Sequence, residues 1–183
     1  MAQDPQQPTK ASFTTRIPDG EDRPRSVCDA CGYIAYVNPK IVVGSIATWQ
    51  DRYLICRRAI HPRKGFWTLP AGFMEEGETV EEAACREARE EACADIEVDR
   101  LLAVYSIPRI SQVQLMFRAR LTSPDVRPGP ESAEVALVRW ADLPWQDLAF
   151  PSVHWALNQF DAVRGRSDFA PFANPPGSEH MVR

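Results

Sequence analysis

The sequence has no long apolar run, no block of basic residues and no even set of cysteines, and each absence excludes a class of protein. No apolar stretch among the 183 residues approaches the ~20 residues of a membrane-spanning helix. The opening residues, MAQDPQQPTKASF, lack the hydrophobic core of a secretory signal. The formal net charge is -4, which argues against nucleic-acid binding as the main task. We therefore expect neither a membrane nor a nucleic acid as a partner.

The five cysteines are an odd number, which argues against a disulfide framework and for a reducing compartment. The cytoplasm is therefore the predicted location. Hydrophobic residues make up 44% of the chain and charged residues 25%, as in ordinary globular proteins. The length suits one domain that can bury a full core.

An acidic segment from Gly72 to Ala94 (GFMEEGETVEEAACREAREEACA) has the most informative spacing in the chain. Glu87, Glu90 and Glu91 stand at i, i+3 and i+4, which places all three carboxylates on one face of a helix. Like charges at this spacing repel one another, so we expect a cation to offset the repulsion. Carboxylate oxygens are hard ligands, and the spacing therefore predicts a site for Mg²⁺ or Mn²⁺.

The start of this helix is also predicted by the sequence. Thr79 followed by Glu82 forms a capping box, in which each side chain accepts a hydrogen bond from the other residue's backbone. The apolar residues of the segment are small, which predicts a narrow face that packs closely on a sheet. These residues are Val80, Ala83, Ala84 and Ala88.

The order Gly72, five residues, Glu78, seven residues and then Arg86-Glu87-Ala88-x-Glu90-Glu91 resembles the signature of the Nudix hydrolases. One position departs from that signature, because Cys93 stands where the family has glycine. A glycine there ends the helix at positive φ, a conformation that costs other residues roughly 1 kcal/mol. We expect a strained or re-routed helix exit with every carboxylate retained.

The resemblance implies an α/β fold, an α/β/α sandwich with a mixed sheet over residues 39–165, preceded by a short ribbon-like remnant. Alternating strands and two principal helices in the sequence agree with this fold class. A further strand is expected after Glu134, and an amphipathic helix closes the domain over Pro151–Arg164. The other predicted strands are Ile41–Ala47, Tyr53–Arg57, Trp67–Pro70, Ile96–Tyr105 and Gln112–Leu121.

The two ends of the chain are predicted to be flexible: residues 1–38 as an arm ending in a Cys-x-x-Cys turn, and residues 166–183 as a tail. Cys28 and Cys31 resemble half of the zinc ribbon found in a Nudix subgroup that includes NADH and plant FAD pyrophosphatases. Structural zinc needs four ligands, and this chain has only Phe13 to Arg25 where those relatives carry another cysteine pair. We favour a vestigial ribbon turn over a Zn²⁺ site.

The resemblance also implies a reaction, the hydrolysis of the diphosphate bond of a nucleoside diphosphate linked to another moiety, with Mg²⁺ or Mn²⁺ as cofactor. The implied metal ligands are the carbonyl of Ala71 and the carboxylates of Glu87, Glu90, Glu91 and Glu134. Glu134 either completes the metal site or acts as general base, with Glu131 as the alternative. Arg86 is implied to orient the site by pairing with a carboxylate such as Glu78.

Cationic and aromatic side chains are the candidate substrate contacts, because arginine pairs with phosphate and aromatic rings stack on bases. These candidates are Tyr36, Arg57, Arg58, Phe73 and Arg109. Trp155 is predicted to pack in the core instead. The segment Ile110–Val113 (ISQV) resembles the members of the family that cleave FAD and ADP-ribose. FAD or ADP-ribose, cleaved with release of AMP, is therefore the predicted substrate.

Two alternatives to this function stay open. NADH or a nucleoside triphosphate is the alternative substrate, and a module that binds a nucleotide without hydrolysing it is the alternative from another class. The presence of all three helix glutamates favours the enzyme. A homodimer is expected by analogy with the family.

Overall fold

The computed structural model describes residues 12–178, which divide into two compact units, residues 12–38 and residues 39–178. The first unit contains an antiparallel three-stranded sheet in the order β1-β2-β3. Its strands are β1 (Phe13–Arg16), β2 (Arg25–Cys28) and β3 (Ile34–Ala35).

Residues 12–25, which the sequence predicts as part of a flexible arm, contain strand β1, and backbone pairing and one aspartate contact this strand. The backbone N–H of Asp29 donates to the Ser12 carbonyl at 3.0 Å, and the Thr14 hydroxyl donates to Oδ1 of Asp29 at 2.8 Å. Composition gives no sign of these contacts, because the partners are far apart in sequence. The predicted flexibility of residues 1–11 lies outside the described residues.

The Cys-x-x-Cys turn follows β2. The N–H of Gly32 donates to the Cys28 carbonyl at 2.9 Å, and Gly32 itself has a φ of 75°. Cys28 is buried, Cys31 is exposed, and both thiols are free. Backbone hydrogen bonds from Cys31 and Ala30 lower the pKa of the Cys28 thiol.

The second unit is built on a seven-stranded mixed sheet. Its strands are β4 (Lys40–Trp49), β5 (Arg52–Arg58), β6 (Trp67–Thr68), β7 (Ala71–Phe73), β8 (Ile96–Ile107), β9 (Gln112–Leu121) and β10 (Ser132–Arg139). The main order is β10-β5-β4-β9-β8, with β6 beside β5 and β7 beside β4. The central pair, β4 with β9, is parallel, and the other pairs are antiparallel.

Helices α1 (Val80–Ala92) and α2 (Pro151–Ala162) cover opposite faces of this sheet. On β5, Tyr53 and Ile55 belong to the apolar cluster that contains the buried face of α2. The intervening Leu54 and Cys56 belong to the cluster that contains Ala88 of α1. Because successive strand residues point to opposite faces, the two clusters are the two inner layers of a sandwich. The predicted α/β/α fold is confirmed.

Short 3₁₀ turns complete the connections at Pro108–Ile110, Trp140–Asp142 and Trp145–Asp147. Within residues 12–178, neither helix is long and apolar enough to cross a membrane.

Helix α1 begins and ends at the residues that its sequence indicates. At its start, the Thr79 hydroxyl accepts from the N–H of Glu82 at 3.2 Å, and Oε2 of Glu82 accepts from the N–H of Thr79 at 2.8 Å. At its end, Cys93 adopts the left-handed conformation with a φ of 47°. The N–H of Cys93 donates to the Arg89 carbonyl at 2.9 Å, which is the bond of an αL capping motif, and the N–H of Ala94 donates to the Ala88 carbonyl at 3.2 Å. The expected strain is present at Cys93, and the exit is not re-routed.

The segment after α2, predicted as a flexible tail, pairs with strand β8. The N–H of Phe172 donates to the Leu102 carbonyl at 2.8 Å, and the N–H of Val104 donates to the Phe172 carbonyl at 2.9 Å. An edge strand offers a row of backbone groups that need partners, and this segment supplies them for β8. Residues 166–178 are therefore docked. The prediction for residues 179–183 lies outside the described residues.

Candidate active site

A cavity of about 670 Å³ in the second unit is bounded by the acidic face of α1, the start of α2 and the loop between β8 and β9. Eight of the predicted site residues line it. They are Arg58, Ala71, Phe73, Arg86, Glu87, Glu90, Glu91 and Arg109. The cavity therefore joins carboxylates, cations and aromatic surface in one space.

Two of the three helix glutamates are buried, which requires space that the neighbouring strand provides. Only 7% of Glu87 and 6% of Glu91 is exposed to solvent. A Cβ added at Gly72 would overlap the Glu87 carboxylate, so glycine at that position admits the side chain. The N–H of Ala71 donates to Oε2 of Glu91 at 3.2 Å. Strand β7 thus positions both buried carboxylates, and the predicted role of the Ala71 carbonyl as a metal ligand stays a prediction.

Arg86 donates most of the side-chain hydrogen bonds around the acidic face of α1. Its guanidinium donates to both oxygens of Glu78 at 2.8 and 3.0 Å, and to the Phe73 carbonyl at 3.0 Å. It also donates to Glu87 at 2.7 Å and to Glu90 at 3.0 Å. These bonds tie the loop before α1 to the helix, and they lower the pKa of Glu78 to about 2.

Burial makes the carboxylates of this site costly to ionise. Desolvation raises the pKa of Glu91 to about 8, against the opposing hydrogen bond from Ala71, and the charges of Glu87 and Glu131 raise it further. Desolvation also raises the pKa of Glu87, although Arg86 opposes the rise. Buried carboxylates that repel one another are the donor set that a hard divalent cation neutralises. The residues present therefore fit such a metal.

Arg86 supplies the positive charge in this conformation. Among residues 12–178, no three or more His, Cys, Asp and Glu side chains are grouped in a way that could hold a metal. Arg86 donates to one oxygen of Glu87 and to one oxygen of Glu90, so each carboxylate keeps a second oxygen that the guanidinium does not engage.

The loop after β9 brings Glu131 to the cavity, and it does so by packing on the end of α1. The N–H of Gly129 donates to the Glu91 carbonyl at 3.0 Å, and a Cβ added at Gly129 would overlap the Glu90 carbonyl oxygen. Only glycine allows this approach. Glu131 lines the cavity two residues later. The glycine between Pro128 and Pro130 is the sequence signal for this contact.

Glu134 and Arg57 do not line the cavity, and their predicted roles stay predictions. Glu134 lies in β10, where its Oε2 is 3.5 Å from Nη1 of Arg57, and both side chains are about half exposed. Arg57 also donates from Nε to the Gly65 carbonyl at 2.9 Å. Neighbouring residues of a strand point to opposite faces, which agrees with Arg58 lining the cavity while Arg57 pairs with Glu134.

Tyr36 lies in the first unit, where its hydroxyl donates to Oε1 of Glu21 at 2.6 Å and Arg25 lies over its ring. A substrate contact at Tyr36 stays a prediction.

The apolar part of the cavity contains residues that sequence reasoning missed. Trp155 was predicted only to pack, and it does pack edge-on against Tyr105 with ring centroids 5.4 Å apart, but it also lines the cavity. Phe150 lies below Arg58, whose guanidinium is 5.3 Å from the ring centroid. The other apolar lining residues include Val42, Ile60, Ile107, Ile110 and Met116. They come from loops and strand ends whose meeting point is not encoded by a local pattern.

Comparisons with known proteins agree with this geometry. The family model described as the NUDIX domain matches residues 39–160, and the model described as Nudix N-terminal matches residues 10–37. A crystal structure of a NUDIX hydrolase from Nitrosomonas europaea is 45% identical, covers 91% of this chain and 96% of its own, and has a TM-score of 0.85.

Two curated relatives match the same domain. The ADP-ribose pyrophosphatase of Methanocaldococcus jannaschii is 34% identical over 122 residues, which are 64% of this chain and 71% of that protein. The NAD-capped RNA hydrolase NudC of Stutzerimonas stutzeri is 34% identical over 117 residues, but these are only 40% of its length against 62% of this chain. From the domain model, the matched fold and the 45% identical structure, the chain belongs to the Nudix hydrolase family.

Proposed function

We propose that this Nudix hydrolase is a divalent-metal-dependent pyrophosphohydrolase that cleaves the diphosphate of ADP-ribose and releases AMP. The observation that carries the proposal is the pair of buried carboxylates, Glu87 and Glu91, in the same cavity as the cations Arg58 and Arg109. The cavity thus has a metal-binding side and a side that attracts phosphate oxygens.

Mg²⁺ or Mn²⁺ would be held by Glu87, Glu90 and Glu91, where it would neutralise phosphate oxygens and lower the pKa of a bound water. Arg58 and Arg109 would bind the remaining phosphate oxygens, because a guanidinium pairs with phosphate through two parallel hydrogen bonds. Arg86 would keep α1 and the loop before it in register through Glu78.

Glu131 is the residue that we assign to accept the proton of the attacking water. It lies at the cavity on a loop, outside the Arg86 hydrogen bonds that engage Glu78, Glu87 and Glu90. A proton acceptor must be free to change its protonation during turnover, and a carboxylate engaged by a guanidinium is held ionised.

The apolar lining supports a substrate with a base or another ring beyond the diphosphate. Phe73, Phe150 and Trp155 offer ring faces or edges to such a group. ADP-ribose is placed first because the archaeal relative, 34% identical over most of its own length, is named for it. FAD, cleaved to AMP and FMN, is the second candidate, since the ISQV segment resembles that of FAD- and ADP-ribose-cleaving members. NADH and nucleoside triphosphates are the remaining candidate substrates.

The test is a substrate panel read by chromatography of the products. Purified protein would receive ADP-ribose, FAD, NADH or dGTP with Mg²⁺, with Mn²⁺ or with EDTA, and a Glu87→Gln variant would serve as the control. The expected result is metal-dependent release of AMP and ribose 5-phosphate from ADP-ribose ahead of the other substrates. Turnover of FAD or NADH first would keep the chemistry and change the substrate. Thermal stabilisation by a nucleotide without turnover would instead favour the non-catalytic module.

We also propose a homodimer by analogy with the family and a cytoplasmic location from the cysteine content. Light scattering during size-exclusion chromatography tests the first proposal, and fractionation of the source cells tests the second.

A further inference from the structure

The docked segment after α2 extends the sheet at the edge of β8. Phe172 makes the two backbone hydrogen bonds to Leu102 and Val104 described above, so it occupies the position of one residue of a parallel strand. Further along β8, the next exposed pair of backbone groups belongs to Ser106. The side chain of Asn174 forms hydrogen bonds with both the N–H and the carbonyl of Ser106.

Asn174 binds Ser106 as a paired strand residue would. Its Oδ1 accepts from the N–H of Ser106 at 2.9 Å, and its Nδ2 donates to the Ser106 carbonyl at 3.0 Å. A carboxamide is the side-chain group that can donate and accept side by side in this way. The docked segment therefore fixes the backbone of β8 at its last exposed residue.

Ser106 stands at the entrance to a loop that lines the active-site cavity. Ile107, Arg109, Ile110 and Gln112 all face that cavity. At the far end of the loop, the carbonyl of Ser111 accepts from the N–H of Lys40 at 2.9 Å. The loop is thus held at both ends, by Asn174 at one and by the central strand β4 at the other.

A second connection joins the docked segment to the opposite cavity wall. Nε2 of Gln159 donates to the Ala173 carbonyl at 3.0 Å, and Oε1 of Gln159 accepts from the Tyr105 hydroxyl at 2.5 Å. The Tyr105 ring packs on Trp155, which lines the cavity. Residues 172–174 therefore contact Ser106, at the entrance to the Arg109 loop, directly, and they reach Trp155 of α2 through Gln159 and Tyr105.

We propose that Asn174 is a positioning residue that fixes the loop of residues 107–112 and so sets the affinity for substrate through Arg109. This inference rests on the proposed function for its kinetic test, since Arg109 is assigned there to bind phosphate oxygens. Asn174 acts on a binding contact rather than on the metal-binding face, which comes from α1 and the loop after β9. Its loss should therefore raise KM and leave kcat nearly unchanged.

The kinetic experiment compares Asn174→Ala with Ser178→Ala in the full chain, using ADP-ribose and saturating Mg²⁺. Ser178 is a matched control, because its hydroxyl donates to the Pro175 carbonyl within the same segment. Loss of two neutral hydrogen bonds predicts a KM about tenfold higher for Asn174→Ala, with kcat within about twofold. An Asn174→Asp variant, which keeps the acceptor and loses the donor, should fall between the two. An unchanged KM, or an equal rise in Ser178→Ala, would overturn the proposal.

A double-mutant cycle with Arg109→Ala asks whether the effect passes through that side chain. If it does, adding Asn174→Ala to Arg109→Ala should raise KM by less than about twofold further. A full tenfold effect in the Arg109→Ala background contradicts the proposal.

Hydrogen–deuterium exchange separates this proposal from the proposed function, because it needs no substrate. Amides of residues 107–112 should exchange faster in Asn174→Ala than in the wild-type protein, while those of β4 should not change. Unaltered exchange of the loop would contradict the positioning role even if the enzyme is active. Faster exchange in a protein that hydrolyses no diphosphate would support the contact and reject the proposed function.

Discussion

Glu91 bears the largest ionisation cost among the carboxylates of the site. Its pKa is about 8 in the folded protein against an ordinary value of 4.5, and the main cause is removal of the carboxylate from water. Between these two pH values the folded protein binds more protons than the unfolded chain, so its stability falls as pH rises through this window. Below pH 4.5 the cost is absent, and above pH 8 it is complete, on the order of 5 kcal/mol.

Glu91→Gln should therefore have opposite effects on activity and on metal-free stability. Turnover should fall by orders of magnitude, because a proposed metal ligand is lost. In excess EDTA, the variant should be more stable than the wild-type protein at pH 8, and the difference should shrink toward pH 5. Urea denaturation at several pH values measures this. Glu90→Gln is the control, since the Glu90 side chain is 58% exposed and its loss should reduce turnover with little change in stability. Equal stability of Glu91→Gln and wild type at pH 8 would contradict the assigned burial cost.

The neighbouring pair Glu131 and Glu134 offers a second test with an internal control. Glu131 lines the cavity, whereas Glu134 pairs with Arg57 on β10. Glu131→Gln should lower kcat by about 10²–10⁴, the range for loss of a general base. Glu134→Gln should stay within about threefold of wild type, because an exposed ion pair contributes little. Steady-state kinetics at saturating metal decides between them, and the reverse order of effects would restore Glu134 as the functional residue.

At the scale of elements, α1 combines a strong start with a strained end. The capping box at Thr79 satisfies orphan N–H groups, and the loop after β9 donates to the last carbonyls through Arg127 and Gly129. At the C-terminal end of α1, Cys93 has a φ of 47°, a left-handed conformation that is unfavourable for a residue with a Cβ. The loop after β9, which hydrogen-bonds to the C-terminal carbonyls of α1, also brings Glu131 to the cavity. The geometry of the C-terminal end of α1 therefore contributes to the site.

Cys93→Gly should stabilise the protein by up to about 1 kcal/mol, because glycine adopts the left-handed conformation without a Cβ clash. Part of the gain is offset by the greater backbone entropy of glycine in the unfolded chain. Urea denaturation measures the change in free energy of unfolding. Cys93→Ala is the control, since it removes the thiol and keeps the strained φ. A gain of the same size in both variants would trace the effect to the thiol instead.

The elements that the sequence predicts correctly are those determined by local pattern. The ends of α1 follow from Thr79, Glu82 and Cys93, and the strands follow from apolar runs. The docked segment and the small sheet of the first unit were missed, because their hydrogen bonds join residues distant in sequence. The family resemblance favours Glu134 over Glu131, and only the packing of Gly129 on α1, which no local pattern encodes, brings Glu131 to the cavity.

At the scale of the whole chain, the segment after α2 should contribute to stability as well as to the site. Phe169 and Phe172 pack against the larger apolar cluster, and Phe172 pairs with β8. Deletion of residues 166–183 should therefore lower the free energy of unfolding by at least about 2 kcal/mol. Deletion of residues 179–183 alone is the matched control. Equal denaturation midpoints for the two truncated chains would contradict a stabilising role.

The parallel pairing of β4 with β9 has a consequence for how the chain folds. Lys40 pairs with Gln112 and Thr48 with Arg120, so the middle of the sheet closes a loop that contains α1 and all of its glutamates. Loop-closure entropy opposes this step, and pairing at such separation slows folding. On the ribosome, the central ladder cannot be completed until residue 120 has been synthesised. The acidic helix and strand β7, which positions its two buried carboxylates, therefore emerge before the central ladder of the sheet can be completed.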